Sequence, residues 1–379
     1  AGRNIVESKM QHITIKKEGD LKRFYNLAQI AIRDQAYSLN FSEPTDKLKS
    51  TFIHIKNCGN VIIENLRVLQ FDPDYRAYHS VLIEDCDNVS VKDSYFAGTC
   101  NYHLRIEGCR NIFLDGVEVA GYDYGKLGLR SGGGVWINNG SYTKTNMSGL
   151  WSPNPRDLET LIIQNCFVHD NLAEDKSRNN DGILIHSAGN GFLFNNRFER
   201  WVKGDSALDV SHRRSDDSYK EKTLRIERNL FVHNKHVKSV GMSDVSNSII
   251  WMNNIYIDTK LGNYHQNWRD IRVWETYIFT KKDFGFWRNW GRLSGPVMIE
   301  QCLFFLKRGW ISSMFKLDSI NGIGAMSFLH PDRNVYYMPK PPGFWLVSEN
   351  RDGSVSFGIM GWREWQKRGF DQQSQLTQD

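Results

Sequence analysis

A segment that reads as strand, turn, asparagine, strand and turn recurs along this chain of 379 residues. Four clear copies are FIHIKNCGNVIIENLRV (52–68), SVLIEDCDNVSVKDSYF (80–96), HLRIEGCRNIFLDGVEV (103–119) and GILIHSAGNGFLFNNRF (182–198). A repeat of roughly 20 to 50 residues is typical of arrays in which each unit buries its apolar face only by stacking on its neighbours. The sequence therefore predicts a stacked array of short elements.

The asparagine of these copies marks equivalent positions along the chain, mostly 22 to 33 residues apart. One gap of 49 residues, from Asn111 to Thr160, is interpreted as two repeats, with GVWINNG in the skipped one. Three short β-rich runs per repeat predict an all-β fold, a parallel β-helix of about ten coils, and the crossover rule makes it right-handed. The equivalent positions are Asn60, Asn88, Asn111, Thr160, Asn190, Thr223, Ser248, Asp270 and Pro296.

Within a repeat, side chains alternate between two faces. Ile183 and Ile185, for example, alternate with Leu184 and His186, so that the first pair faces inward and the second outward. Outward side chains of neighbouring strands then form files with a spacing of about 4.8 Å. An outer sheet face of such an array offers a groove for a long polymer.

The two ends of the chain differ from the repeats. Residues 20–35 carry apolar side chains on one helical stripe after Asp20, which predicts an N-terminal capping helix. We therefore divide a single domain into an N-terminal strand and capping helix (1–50), the coils (51–310), and C-terminal strands with a Trp-rich tail (311–379). The stripe consists of Leu21, Phe24, Leu27, Ala28, Ala31 and Ile32.

The amino-acid composition limits the classes of molecule that this protein is expected to bind. The formal net charge of +5 favours an acidic polymer only weakly, and the basic residues lack the aromatic interleaving of nucleic-acid stacking surfaces. No apolar run reaches membrane-spanning length. We expect a monomer that binds neither nucleic acid nor membrane, secreted or periplasmic with its leader removed.

Cys58, Cys86 and Cys109 share one repeat position, which predicts a ladder of buried thiols instead of disulfides.

Three aspartates are the strongest chemical signal. Asp181 and Asp205 lie at the starts of successive repeats, and Asp209 follows four residues later. Stacking brings all three carboxylates to one outward cluster, and such hard oxygen ligands suit Ca²⁺. The alternative is that Asp181 and Asp205 end strands in solvated turns, where aspartate is common.

These residues resemble the calcium-binding pattern of pectate-lyase-type polysaccharide lyases, in particular those that use a lysine as the base. The matching segments are NNDGILIH (179–186), GDSALDVSH (204–212) and FVHNKHVKSVGMSD (231–244). The closing WREWQKRGFDQQS (362–374) resembles a tail of bacterial β-helix carbohydrate-active proteins. Ser206 departs from the family pattern, which has a second aspartate there, and this implies a weaker metal site.

The resemblance implies a calcium-dependent lyase that cleaves an acidic, uronic-acid polysaccharide by β-elimination. It implies that Asp181, Asp205 and Asp209 bind Ca²⁺ and that Lys238 is the base. A lysine acts as a base only when its pKa is depressed, and a bound Ca²⁺ together with Lys235, Arg213 and Arg214 would depress it; without such neighbours Lys238 is an ordinary solvated lysine. Lys235 also matches a substrate-binding lysine of a related family, and His212 is an alternative base or acid. Candidate substrate-binding residues are His186, Arg213, Arg269, Arg272 and Trp268, with Arg105 as a further possible carboxylate clamp.

Two other functions fit the same groove. A glycoside hydrolase would use Asp205 and Asp209 as acid and base, although the signatures of galacturonan hydrolases are absent from the sequence. A non-catalytic polysaccharide-binding β-helix, such as a phage spike or an adhesin, would need no acidic cluster. The identity of the sugar and endo or exo action are left open.

Overall fold

Parallel β-strands dominate the computed structural model, and one short helix is present in the part of the chain that it describes. From the first strand to the twenty-eighth, every third strand returns to the same sheet, so the chain passes in turn through three long sheets, called A, B and C below. This arrangement is consistent with a parallel β-helix. The described residues are 6–7, 13–16, 29–40, 51–71, 79–98, 102–121, 133–138, 158–171, 181–186, 189–202, 204–212, 223–241, 248–264, 270–280, 286–287, 297–306, 315–318, 329–337, 344–349 and 355–377.

The three long sheets have 13, 9 and 11 strands. Sheet A consists of β1 (Val6–Glu7), β4 (Ala36–Asn40), β7 (Arg67–Phe71), β10 (Tyr95–Gly98), β13 (Glu118–Ala120), β16 (Phe167–Asn171), β19 (Arg197–Trp201), β22 (Leu230–Val232), β25 (Ile255–Ile257), β28 (Tyr277–Thr280), β31 (Leu303–Leu306), β34 (Val335–Tyr337) and β37 (Gln375–Thr377). Sheet B consists of β2 (Ile13–Lys16), β5 (Thr51–Lys56), β8 (His79–Glu84), β11 (Tyr102–Glu107), β14 (Gly133–Asn138), β17 (Ile183–His186), β20 (Leu208–His212), β23 (His236–Gly241) and β26 (Lys260–Tyr264). Sheet C consists of β3 (Gln29–Arg33), β6 (Asn60–Glu64), β9 (Asn88–Lys92), β12 (Asn111–Asp115), β15 (Leu158–Gln164), β18 (Gly189–Phe194), β21 (Thr223–Glu227), β24 (Ser248–Met252), β27 (Asp270–Trp274), β30 (Val297–Glu300) and β33 (Leu329–Asp332).

A two-residue turn connects sheet C to sheet A in each repeat. Its first residue has a left-handed backbone, as at Asn65 (φ 51°), Asn165 (φ 53°) and Gly116 (φ 64°), a conformation that asparagine and glycine adopt at low cost. The second residue is buried and often polar. Asn229, for example, donates its backbone N–H to Asn254 Oδ1 over 2.9 Å, and this ladder satisfies buried polar groups between successive turns.

The interior is a continuous stack of side chains from all three sheets. Ile183 and Ile185 are buried, as the alternation predicts. Phe231 stacks between Phe198 and Tyr256 with centroid distances of 4.8 Å on each side. Cys58, Cys86 and Cys109 form the predicted buried ladder, and they are free thiols, as are Cys166 and Cys302.

The strand register tests the sequence alignment directly. The equivalent positions from Asn60 to Asn190 and from Thr223 to Asp270 pair with one another along sheet C, which confirms that part of the alignment. Between Asn190 and Thr223, the pairing of the next residues, Gly191 and Leu224, keeps the same register, and Pro296 lies outside the described residues. The interpretation of the 49-residue gap is wrong. Asn111 pairs directly with Thr160, and the GVWIN segment is strand β14 of sheet B within that same repeat. A long connection, and not a skipped repeat, accounts for the gap.

The prediction of a helix over residues 20–35 is wrong for residues 29–33, which form strand β3. Ile30 and Ile32 pair with Val61 and Ile63 of β6. A short apolar run fits both a helical and a strand period, and pairing to sheet C decides between them here. Residues 20–28 lie outside the described residues.

Sheets A and C continue past residue 310, the predicted end of the coils, to β37 and β33. A separate four-stranded sheet contains β29 (Phe286–Trp287), β32 (Phe315–Asp318), β35 (Phe344–Glu349) and β36 (Val355–Met360). Helix α1 (Trp362–Lys367) packs Trp365 against the core, and its indole N–H donates to buried Asp371 over 2.8 Å. Among the described residues, no helix has the length and apolar character required to cross a membrane.

Candidate active site

The outer face of sheet B carries a mixed file of charged and aromatic residues. Its strands pair in register, so that side chains far apart in sequence become neighbours at the inter-strand distance of about 4.8 Å. Asp209 of β20 is thus the direct partner of Lys238 of β23. The file runs in the order Leu82, Arg105, Trp136, Leu184, Asp209 and Lys238.

The three aspartates of the sequence prediction converge beside this file. Asp181 precedes β17, Asp205 precedes β20, and Asp209 lies within β20. One carboxylate oxygen from each lies within 4.8 Å of the others. Asp181 and Asp209 are buried, whereas 26% of the Asp205 side chain is exposed. The cluster therefore reaches solvent on the side of Asp205.

The Asp181 carboxylate accepts two hydrogen bonds from described residues. The backbone N–H of Ser206 donates to its Oδ1 over 2.9 Å, and the hydroxyl of Tyr102 donates to its Oδ2 over 3.3 Å. Burial, followed by the negative charge of Asp209, raises the pKa of Asp181 well above its usual range. Asp181 thus keeps its proton to a higher pH than an ordinary aspartate does.

Tyr102 is a site residue that the sequence analysis missed. It belongs to β11, whereas Asp181 lies at the start of β17, with β14 between them. Tyr102 pairs with Gly133 of β14, and a glycine at that position leaves the outer face open above the intervening strand. The signal was present in the sequence as a tyrosine followed in the next strand by the glycine run at 132–134.

Lys238 is the cationic partner of the cluster. Its ammonium group contacts Asp205 and lies 2.9 Å from Asp209 Oδ2. Burial alone would lower the pKa of Lys238, but the charges of Asp209, Asp181 and Asp205 outweigh that effect and raise the pKa above its usual value.

Of the residues predicted to depress the pKa of Lys238, Lys235 lies within the described part of the chain. The Lys235 side chain is exposed, and its Nζ donates to the carbonyl of Gly204 over 2.8 Å. Arg213 and Arg214 lie outside the described residues. The sequence could not show that the closest contacts of Lys238 are acidic.

The other predicted site residues are divided between two sheets. His186 lies on the outer face of sheet B, is buried, and contacts the Trp136 ring edge-on at 5.7 Å. His212 ends β20 on the same sheet. Arg272 belongs to β27 of sheet C and pairs with Ile250 and Met298, so its strand is not part of the sheet that carries the cluster. Arg213, Arg269 and Trp268 lie outside the described residues.

Arg105 already has partners on the outer face of sheet B. Its guanidinium donates to Glu107 from Nε over 2.6 Å, and Nη1 lies 3.0 Å from His79 Nε2. The guanidinium carbon also lies 4.1 Å from the centre of the Trp136 ring. These contacts fix the middle of the file, and a substrate carboxylate would have to compete with Glu107 for this arginine.

The donor set of the cluster fits a divalent cation. Three carboxylates within mutual reach of one ion are the hard oxygen ligands that Ca²⁺ prefers. Ser206 lies between Asp205 and Asp209 in sequence, and its buried Oγ has no hydrogen-bond partner among the described residues. In the present arrangement the Lys238 ammonium supplies the positive charge that such an ion would bring.

The buried state of Asp181 predicts a pH-dependent stability. Its pKa is raised in the folded protein above the ordinary value of 3.8, so the unfolded chain releases this proton at lower pH. We expect the free energy of unfolding, measured by urea denaturation with chelator, to fall as pH rises from 3.8 towards the raised folded pKa. The limiting slope is about 1.4 kcal/mol per pH unit.

Asp181→Asn should flatten this pH dependence, because the substituted side chain does not titrate. The matched control is Asp205→Asn, which alters the more exposed carboxylate of the cluster. An unchanged slope in Asp181→Asn would show that Asp181 is not the residue responsible.

Comparison of the chain with protein-family models, with curated proteins and with solved structures finds no match. The fold and the contacts around Asp181, Asp205, Asp209 and Lys238 therefore carry the functional inference. Together they describe a buried acidic cluster with one lysine on an outer sheet face.

Proposed function

We propose that this protein is a right-handed parallel β-helix of about ten coils that acts as a calcium-dependent polysaccharide lyase. Its substrate is an uronic-acid polysaccharide, which it cleaves by β-elimination in a secreted or periplasmic setting. One observation carries the proposal: Lys238 contacts Asp205 and Asp209 on the face where three carboxylates converge. In this proposal the cation ligands and the base are adjacent.

β-Elimination has two chemical requirements that this site can meet. The carboxylate beside C5 must be neutralised so that the C5 proton becomes acidic, and a base must lie within hydrogen-bond reach of that proton. A bound Ca²⁺ would neutralise the substrate carboxylate as a Lewis acid. Asp181, Asp205 and Asp209 would hold the ion. Lys238 would accept the C5 proton as the C4–O bond breaks, and a water molecule would protonate the departing glycosyl oxygen.

The charge balance around Lys238 links its basicity to the acidic cluster. Lys238 contacts Asp205 and Asp209, and those negative charges stabilise its protonated form. It can accept a proton only when the charge of the carboxylates is compensated in another way. This coupling predicts that catalysis depends strictly on the cation and that magnesium, which prefers a rigid octahedral shell with several waters, substitutes poorly.

The test is the ultraviolet absorbance of the unsaturated product on polygalacturonate, alginate and a glucuronate polymer, with calcium and with chelator. We expect a calcium-dependent rise on one of these polymers, and loss of the rise in Asp209→Ala. Arg272→Ala serves as the control, because its strand belongs to sheet C. An absorbance rise that persists in chelator, or equal losses in the two variants, would contradict the proposal.

A hydrolase is the second candidate, favoured by the closeness of the carboxylates. Retaining glycosidases place two carboxyl groups about 5 to 5.5 Å apart, one of them with a raised pKa, and Asp181 and Asp209 have oxygens within 4.8 Å. This assignment replaces the predicted pair of Asp205 and Asp209 by Asp181 and Asp209. New reducing ends that appear without ultraviolet absorbance would favour hydrolysis, and binding without either signal would favour a non-catalytic binding protein.

A further inference from the structure

A second concave surface lies on the outer face of sheet C, away from the acidic cluster on sheet B. It is a groove of about 380 Å³ that crosses strands β6, β9, β12 and β15. Its central file is Ile62, Ser90, Phe113 and Ile162, which pair in register. The small Ser90 between Ile62 and Phe113 leaves a notch, because its neighbours project further from the sheet.

One wall of the groove is a ladder of side-chain amides. Asn88 Nδ2 donates to Asn60 Oδ1 over 2.8 Å, and Asn111 Nδ2 donates to Asn88 Oδ1 over 3.0 Å. Thr160 continues the same file and, like Asn88, is exposed. Asn88 Nδ2 also donates to the carbonyl of Gly59 over 3.3 Å, so both of its N–H groups are engaged. Each amide oxygen has two lone pairs, and the wall therefore presents neutral acceptor groups that repeat at the strand spacing.

The floor beside this wall is apolar. Ile62, Phe113 and Ile162 are partly exposed, and Lys92 Nζ lies 5.4 Å from the centre of the Phe113 ring. The lining that the structure describes contains no charged side chain. A ligand that matches these features has an apolar face, many hydroxyl groups and an extended shape.

We propose that this groove binds a carbohydrate chain through its hydroxyl groups and the apolar faces of its sugar rings. Three strand spacings of about 4.8 Å give the groove its length, and a pyranose unit in an extended chain advances by a similar distance. The groove therefore presents its amides in step with successive sugars. The bound chain would hold the protein on a polysaccharide while the acidic cluster on sheet B remains accessible.

Other extended polymers fit the groove less well. A peptide cannot add as a strand, because β9 is already paired on both sides, with β6 and with β12. A nucleic acid would need cations along its phosphates, and none of the described lining residues is basic. The inference that the ligand is a carbohydrate follows from the groove lining. It rests on the proposed function only for the expectation that this protein encounters polysaccharides.

The test is affinity electrophoresis of the full chain in native gels that contain xyloglucan, galactomannan or arabinogalactan, with chelator present. These polymers are uncharged or nearly so, and the readout needs no catalysis, so its failure is separate from failure of the lyase proposal. We expect at least one polymer to retard the protein, and we expect the retardation to persist at high salt, since hydroxyl contacts do not depend on charge.

Two variants probe the groove by opposite means. Phe113→Ala removes the aromatic floor, and Ser90→Trp fills the notch. Each should raise the dissociation constant about tenfold, the effect of losing one aromatic contact. The control is Phe192→Ala, which lies in the same file two strands further on, outside the groove. Thermal unfolding confirms that each variant is folded.

The proposal is overturned if none of the three polymers retards the wild-type protein. It is also overturned if Phe113→Ala and Ser90→Trp both keep wild-type affinity while folded. Retardation that disappears at high salt, or that Phe192→Ala weakens equally, would place carbohydrate binding at another surface.

Discussion

Replacing Lys238 with alanine should reduce the elimination rate by about 10² to 10⁴, the usual contribution of a positioned general base. In chelator, Lys238→Ala should also lower the free energy of unfolding by about 3 kcal/mol, because it removes the partner of largely buried carboxylates. Both measurements follow from its contacts with Asp205 and Asp209. Urea unfolding and the unsaturated-product assay would report them on the same protein.

Calcium should reverse the stability loss of Lys238→Ala but not its loss of activity. A cation that binds the folded state stabilises it by an amount that grows with the logarithm of its concentration relative to its dissociation constant, and the variant no longer has an ammonium group that competes for the carboxylates. The stability control is Lys235→Ala, which removes an exposed lysine bound only to a backbone carbonyl among the described residues and should change stability by about 0.5 kcal/mol or less. A Lys238→Ala protein that is as stable as wild type without calcium would contradict the acidic-cluster account.

Gly134→Ala is expected to destabilise the protein by about 3 kcal/mol, the upper range for overpacking a tight site. A Cβ atom at residue 134 would lie 1.9 Å from the carbonyl oxygen of Gly182, so strands β14 and β17 would have to separate. Gly134 N–H also donates to the carbonyl of Asp181 over 2.9 Å. The separation would displace Asp181, and a shift of about 1 Å can cost about 10² in rate.

Thermal unfolding and the elimination assay test Gly134→Ala together. The matched control is Gly361→Ala, where an added Cβ meets no atom within 4 Å and the backbone φ of −76° suits any residue. This control should change stability by less than about 1 kcal/mol. Wild-type stability in Gly134→Ala would show that the close packing of β14 on β17 does not determine the position of Asp181.

The repeat pattern predicted much of the fold because every repeat is under the same constraint: it buries its apolar side chains only by stacking on its neighbours. Asn60, Asn88 and Asn111 pair in register as the alignment requires. The errors arose where the repeat is interrupted. Residues 29–33 lack the asparagine turn that marks later strands, and the connection between Asn111 and Thr160 is long enough to imitate an extra repeat.

The sequence predicted the three aspartates of the candidate site, but it did not predict the contacts through which Lys238 balances their charge. Asp181 and Asp205 occupy equivalent positions of successive repeats and Asp209 follows four residues later, so stacking brings the three together. The contact between Lys238 and Asp209 depends on an in-register pairing of β20 with β23, which local sequence does not specify. Tyr102 reaches Asp181 past a whole strand, a contact that periodicity within one repeat cannot reveal.

The measurement that tests the central claim most directly is the mass of the products formed from a purified uronate oligosaccharide in the presence of calcium. Elimination transfers the C5 proton and breaks the C4–O bond without adding water, so one product carries a double bond at its new non-reducing end. We predict that this product is lighter by one water molecule than the corresponding hydrolysis product. Products that all retain that water would contradict the lyase account and assign the acidic cluster to hydrolysis.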